Sequence, residues 1–178
     1  MDLLANFQLL AQYNQWMNQQ VYQAAQQLDE STLHRDLGAF FGSIFGTVHH
    51  IYVADIIWLN RFASHSQNYS SLHNLPTLPS YTKLNLIVTQ DFSELYKLRQ
   101  NLDVIIINWT QEITSTDLDS NLQYTDTKGN PYCKNLGQLV QHFFNHQTHH
   151  RGQVATLLSQ QRINIGVTDL LKIIPDGV

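Results

Sequence analysis

The sequence predicts an all-α fold, an up-and-down bundle of four long helices, and three observations carry that prediction. Apolar residues recur at alternating three- and four-residue steps through four long segments. Residues 114 to 135 break the pattern, with Leu122, Tyr124 and Tyr132 flanking a turn-forming run, and read as a short hairpin or irregular arm before the last long helix. Pro76 and Pro79 exclude a helix from the long connection between the second and third helices.

The first helix covers roughly residues 2 to 28, with Leu3, Phe7, Leu10, Met17, Val21, Ala24 and Leu28 along one stripe. Asn14 interrupts that stripe, either as a buried amide bonded to a neighbouring helix or as a polar group facing a site. Asp29 to Asp36 reads as a polar connection, followed by Gly38 and Gly42. Ser43 is the expected cap of a second helix running to about Ala63, apolar over most of its circumference and therefore buried. Residues 64 to 82 form the long connection, a lid or a packed surface loop, and His65 and His73 lie there as solvated side chains. The third helix, about Gln90 to Ile113, aligns Phe92, Leu95, Leu102, Ile106, Trp109 and Ile113. The fourth runs from about Leu136 to Gln160, and Thr168 is the expected cap of a short terminal helix ended by Pro175. No repeat, low-complexity tract or linker divides residues 1–178, so one domain is expected.

Size and charge narrow the function classes. At 178 residues the chain can bury a full core. Net charge is −4, and its ten Lys and Arg residues are scattered, so the basic stripe that nucleic-acid binding needs is missing. The apolar run Val104 to Trp109 is too short to span a bilayer, and the start of the chain lacks the basic residue of a secretory signal. The single cysteine, Cys133, has no internal partner for a disulfide, which suits the cytoplasm; nothing places a base beside it, so it reads as inert.

Six of the nine histidines fall in two clusters, 49–50 and 142–150. His146 and His150, four residues apart, differ by about 40° of helical rotation and roughly 6 Å of rise, so both rings leave one face. They lie with the arc of Leu139, Phe143, Val154 and Leu157, whereas His142 and His149 fall roughly 40–60° outside it. On the second helix, Ala54, Ile57 and Arg61 lie within roughly 40° of His50, while His49 points about 100° away and Asp55 about 140° away. The plain alternative is a set of satisfied core histidines. Burying two imidazoles among apolar residues, however, demands partners for four ring nitrogens, and a shared ion takes one from each. With His50 added, three neutral nitrogen donors suit Zn, Ni, Fe or Co, in an arrangement that leaves positions open for chemistry.

Other constellations do not fit. A zincin helix carries HExxH, and here Gln147 follows His146. Diiron bundles need glutamates on several helices, yet residues 142 to 153 contain no acid. Neither a Ser-His-Asp arrangement nor a phosphate-cradling glycine loop stands out, and no general base can be named.

The stretches FNHQTHHRGQV (Phe144–Val154), HIYVADIIWLNR (His50–Arg61), YNQWMN (Tyr13–Asn18) and YTDTKGNPY (Tyr124–Tyr132) resemble the DinB family, within the DinB/YfiT-like group of metal-dependent enzymes. The resemblance covers most of the chain and has nothing to do with the DNA polymerase of that label. It implies a four-helix bundle with a divalent metal, zinc or nickel, held by one histidine of helix two and two of the last long helix: His50, His146 and His150. It also implies a homodimer, and relatives that work as thiol-using S-transferases, hydrolases or isomerases. Gln153, about 20° from His146, can bond a ligand ring, with Asn14 and Tyr13 as further pocket residues; Arg151 points away, with Asp55 a candidate ion-pair partner. The expectation is a metal-dependent hydrolase or thiol transferase acting on a small molecule, without nucleic acid or membrane. A low-molecular-weight thiol is a candidate cofactor. The rival is a non-catalytic, metal-clamped bundle serving as a stress-related binding module.

Overall fold

The computed structural model describes residues 2–176. Helix α1 (Leu3–Ala25) starts where the Asp2 carboxylate accepts from the Leu4 amide, and its stripe buries Phe7, Ala11, Met17, Val21 and Tyr22. The supposed polar connection contains a further helix, α2 (Glu30–His34), because the Asp29 carboxylate accepts from Thr32 N at 2.7 Å and Leu33 anchors the turn in the core. Helix α3 (Ile44–Ala63) begins at the expected Ser43, whose hydroxyl accepts from the Gly46 amide. Gly46 is obligatory there: a Cβ would stand 2.2 Å from the Phe41 carbonyl oxygen, so only glycine lets the preceding turn fold back so tightly.

The connection from Ser64 to Asp91 is packed rather than loose. Tyr69, Leu72 and Leu78 are buried, and a 3-10 turn at Ser70–Leu72 is tied down where Glu112 accepts from Ser71 N at 3.0 Å and Ser70 Oγ at 2.6 Å. Helix α4 (Phe92–Glu112) follows, capped by Asp91. A short helix not expected from periodicity, α5 (Ser115–Asp119), is held by a reciprocal capping box between Thr114 and Asp117. The arm is an antiparallel hairpin, β1 (Asn121–Thr125) with β2 (Pro131–Asn135), in the register Asn121↔Asn135 to Thr125↔Pro131. Its turn is organised by Asp126, whose carboxylate accepts from Lys128 N and Asn130 N at 2.8 and 2.9 Å. Helix α6 (Leu136–Gln160) then runs as expected.

The tail differs from expectation. It forms a 3-10 turn at Leu170–Ile173 without a side-chain cap, and Thr168 contributes its carbonyl instead, accepting from Tyr13 Oη at 2.5 Å. The tail is thereby pinned to α1. No helix among the described residues is long and apolar enough to cross a membrane.

The protein is thus mostly helical, with one small two-stranded sheet. Helix α1 packs on α4 and α6, and α3 packs on α6 and α4. At one end of the core Phe62 stacks on Trp109, with ring centroids 4.8 Å apart, and Phe143 meets both edge-on. Mid-core, the four helices meet in a buried polar cluster. Arg99 Nη1 donates to Asp55 at 2.5 Å, and Arg99 Nη2 lies 2.8 Å from Asp103. Gln147 donates to Asp55 at 2.8 Å, and Asn18 donates to Asp103 at 2.9 Å. Arg151 donates to the Asn14 carbonyl oxygen, and Asn14 in turn donates to Asp103. Burial drives the Asp55 and Asp103 carboxyls upward, Asp103 to about 6, while Arg99 pulls both back toward the charged form.

Two expectations are corrected by this cluster. The partner of Asp55 is Arg99 rather than Arg151. Arg151 is buried, as an inward residue of α6, and reaches α1 instead. Asn14 takes the buried-amide role.

Candidate metal centre

Helices α3 and α6 bring together the three histidines singled out by spacing. His50 Nε2 stands 3.2 Å from His146 Nε2 and 3.1 Å from His150 Nε2. One ligand atom from each ring lies within 4.8 Å of the others.

What surrounds the rings decides which nitrogens are free. His50 Nδ1 is 2.9 Å from the Leu84 carbonyl oxygen, an acceptor only, so Nδ1 must carry the proton and Nε2 presents a lone pair. His150 Nδ1 donates in the same way to Gln153 Oε1 at 2.7 Å, and the Gln153 amide nitrogen donates onward to His149. Two bare lone pairs therefore face each other at 3.1 Å. A proton between them is disfavoured by burial, which pushes His50 down to about 4; the Leu84 carbonyl only partly opposes this. Burial, with the neighbouring imidazoles, pushes His146 down to about 3, and burial lowers His150 as well. All three are neutral at physiological pH.

The donor set fits a divalent ion. Nitrogens about 2.0–2.1 Å from a shared ion stand roughly 2.9 Å apart at a right angle and roughly 3.3 Å apart at a tetrahedral one. The two observed Nε2 separations lie between these values. Among the described residues no other His, Cys, Asp or Glu joins the three.

One side of the cluster is walled by Phe41, stacked on the His50 ring with centroids 3.8 Å apart and edge-on to His150 at 5.7 Å. His50 and His146 also face a chamber of about 230 Å³, lined besides by Ala54, Ile57, Trp58 and Arg61, with Leu84, His142 and the turn residues Asp126 and Thr127. The α3 residues predicted by helical phase to share the His50 face, Ala54, Ile57 and Arg61, all line it.

The remaining candidates separate. Gln153 touches His150 and so stands at the centre. Asn14 is spent in the buried cluster of the four helices. Tyr13 is bonded to Thr168, with the Arg151 guanidinium 5.5 Å from its ring. His49 is fully buried, and its Nδ1 donates to the Phe45 carbonyl at 3.0 Å, a structural bond. His65 is bonded to Ser120 rather than free in solvent, and Cys133 is exposed on β2. Three contributors were not identified from sequence. The Leu84 carbonyl is a main-chain atom and leaves no sequence signal. Phe41 lies in a turn outside any periodic segment. Helical phase puts His142 on the polar side of α6, yet its ring packs edge-on against Trp58 at the chamber wall.

The sequence profile of the DinB family matches residues 3–170. Protein DinB of Bacillus subtilis (strain 168) is 25% identical over 160 residues, which covers 90% of this chain and 88% of that protein. No solved structure matches the chain. Because the profile match runs from the first turn of α1 to the terminal 3-10 turn, and so across all three histidines and the helices that aim them, this chain belongs to the DinB family.

Proposed function

We propose that this protein is a metal-dependent enzyme acting on a small molecule, a hydrolase or a thiol-using S-transferase, built as a single-domain four-helix bundle. His50, His146 and His150 would hold the ion, with zinc or nickel the proposed metal. The observation that carries the reading is the convergence of three neutral imidazoles, with the Nε2 atoms of His146 and His150 at 3.2 and 3.1 Å from that of His50 and the His50 and His150 rings locked by outer partners into the tautomer that binds metal. A divalent ion bound there supplies Lewis acidity, which brings a water or a thiol to its nucleophilic form near neutral pH.

The protein's own groups shape what reaches that point. Leu84 and Gln153 fix the ring planes of His50 and His150. Phe41 excludes solvent from one side. The chamber lined by His50 and His146 gives a small molecule its approach, bounded by Trp58, Ile57 and Arg61. An open approach, with no fourth protein ligand of these types among the described residues, favours chemistry over a purely structural clamp. The same reading takes the molecule as a homodimer, as the family resemblance implies, and as cytoplasmic, which its single cysteine suits.

The test is elemental analysis of untagged protein, paired with His150→Ala and a screen of thiol acceptors and small hydrolysable esters and amides. Stoichiometric zinc or nickel, lost in a His150→Ala protein that keeps its helical circular dichroism, supports the reading. Metal content unchanged by that substitution sinks it.

A further inference from the structure

Arg61 is the one cationic side chain that lines both the histidine chamber and the larger cleft beside it. His50 and Arg61 are eleven residues apart on α3, which is about 20° of rotation and roughly 16 Å along the axis, so they stand on one face. Long helical side chains lean toward the N-terminus, here toward His50. The 230 Å³ chamber touches His50, His146 and Arg61 together. A second cleft of about 630 Å³, beneath the hairpin turn, shares Ile57, Arg61, Asp126 and Thr127 with it. The two form one path from the histidines to the hairpin.

Arg61 is unlike the protein's two fully buried arginines. Arg99 faces two carboxylates, and Arg151 bonds Asn14. The Arg61 guanidinium, half-buried, lies 4.5 Å from the Trp58 ring centre and 5.0 Å from that of Tyr124, and among the described residues its side chain makes no ion pair or hydrogen bond. The aromatic rings hold the fork in place and leave its five N–H donors unspent. Lys128 adds a second cation to the cleft wall. The one carboxylate there, Asp126, is held by Lys128 N, Asn130 N and the Asn130 side chain; these neutral donors keep it charged, but among the described residues it makes no ion pair with Arg61. The histidines at the other end add no negative charge. A planar, preorganised guanidinium with no direct ion pair, in a cleft where two cations stand against one carboxylate, is suited to a carboxylate or phosphate group.

We propose that the path from the histidine cluster to the hairpin turn takes an elongated organic anion, and that Arg61 binds its anionic oxygen group. The assignment rests on the metal-centre reading for which end of the ligand reacts, but Arg61 itself can be tested without activity.

The experiment is calorimetric titration of the zinc-loaded full chain with three probes: suberate, phenylphosphonate and neutral suberamide. At least one anion is expected to bind, its identity separating carboxylate from phosphate chemistry, and suberamide is expected to fail. Arg61→Met, which keeps the apolar stem, should weaken anion binding about tenfold or more, and Arg61→Lys should restore only part. Tyr124→Leu guards against a merely structural role: it removes half the aromatic clasp but keeps the charge, and should cost about threefold or less. Equal binding of anions to Arg61→Met and the parent, equal binding of suberamide and suberate, or an equal loss in Tyr124→Leu and Arg61→Met overturns the proposal. Zinc uptake is measured separately by equilibrium dialysis. A parent chain that takes up no zinc, yet binds anions in an Arg61-dependent way, removes the metal reading and leaves the anion site standing.

Discussion

Gln153 accepts the Nδ1 proton of His150 at 2.7 Å and, with its amide nitrogen, reaches His149 on the same helix. That bond faces His150 Nε2 toward His50 with an unshared pair. Without it the ring is free to take the other tautomer or rotate. Gln153→Leu should therefore lower zinc affinity by about 10–100-fold, the usual cost of losing an outer partner to a ligating histidine, while leaving the melting temperature of the metal-free protein nearly unchanged. Competition with a chromophoric chelator measures the first, and circular dichroism the second. An affinity equal to the parent's would show that Gln153 does not orient the ring.

Gly46 and Phe41 make a second testable contact. A methyl at position 46 would collide with the Phe41 carbonyl, a backbone atom that moves only if the turn before α3 moves. Gly46→Ala is expected to destabilise by about 1–3 kcal/mol in urea unfolding. Because Phe41 stacks on His50, the same change should also weaken zinc binding. Loss of stability with zinc affinity untouched would dissociate the aromatic wall from the metal centre.

Removing Arg99 has a larger expected effect. Arg99→Met leaves Asp55 and Asp103 buried without their ion-pair partner, and breaking a buried pair from one side typically costs about 3–5 kcal/mol. Chemical denaturation of the metal-free protein is the measurement. A loss below about 1 kcal/mol would mean that the two carboxyls simply take up protons and the cluster is dispensable.

The Asp117 capping box predicts a pH signature. Burial pushes the Asp117 carboxyl up, but the hydrogen bonds from the Thr114 hydroxyl and amide outweigh it, and the net shift is downward. A carboxyl lowered in the folded state stabilises fully above its unfolded pKa, about 3.9, and that contribution is lost as pH falls through the lowered value. Asp117→Asn should therefore destabilise by about 0.5–1 kcal/mol near neutral pH, with the gap to the parent closing in the acid range. A gap constant across that range would assign the effect to lost packing.

The long helices were legible because a helix is a local object. Its hydrogen bonds join residues four apart, and its apolar stripe and caps are written into contiguous sequence, so Ser43, the Ala63 end of α3 and the whole of Leu136–Gln160 were placed from residues alone. The same local regularity placed His146 and His150 on one face, and aligned Ala54, Ile57 and Arg61 with His50. Short elements were harder to read. Helices α2 and α5 hold only five residues each, too few for a period to show.

Pairing across the interior was another matter, because it depends on the axial register of helices distant in the chain, which no single segment encodes. Periodicity showed Arg151 and Asp55 as polar residues on buried helices, but packing alone gave Asp55 to Arg99 and Arg151 to Asn14. Likewise, the choice of His50 as third ligand came from phase and resemblance, whereas its tautomer is decided by the Leu84 carbonyl, a main-chain atom that the long connection brings over the ring from 34 residues away. Sequence picked out the three candidate histidines; tertiary structure decided which nitrogen His50 and His150 offer.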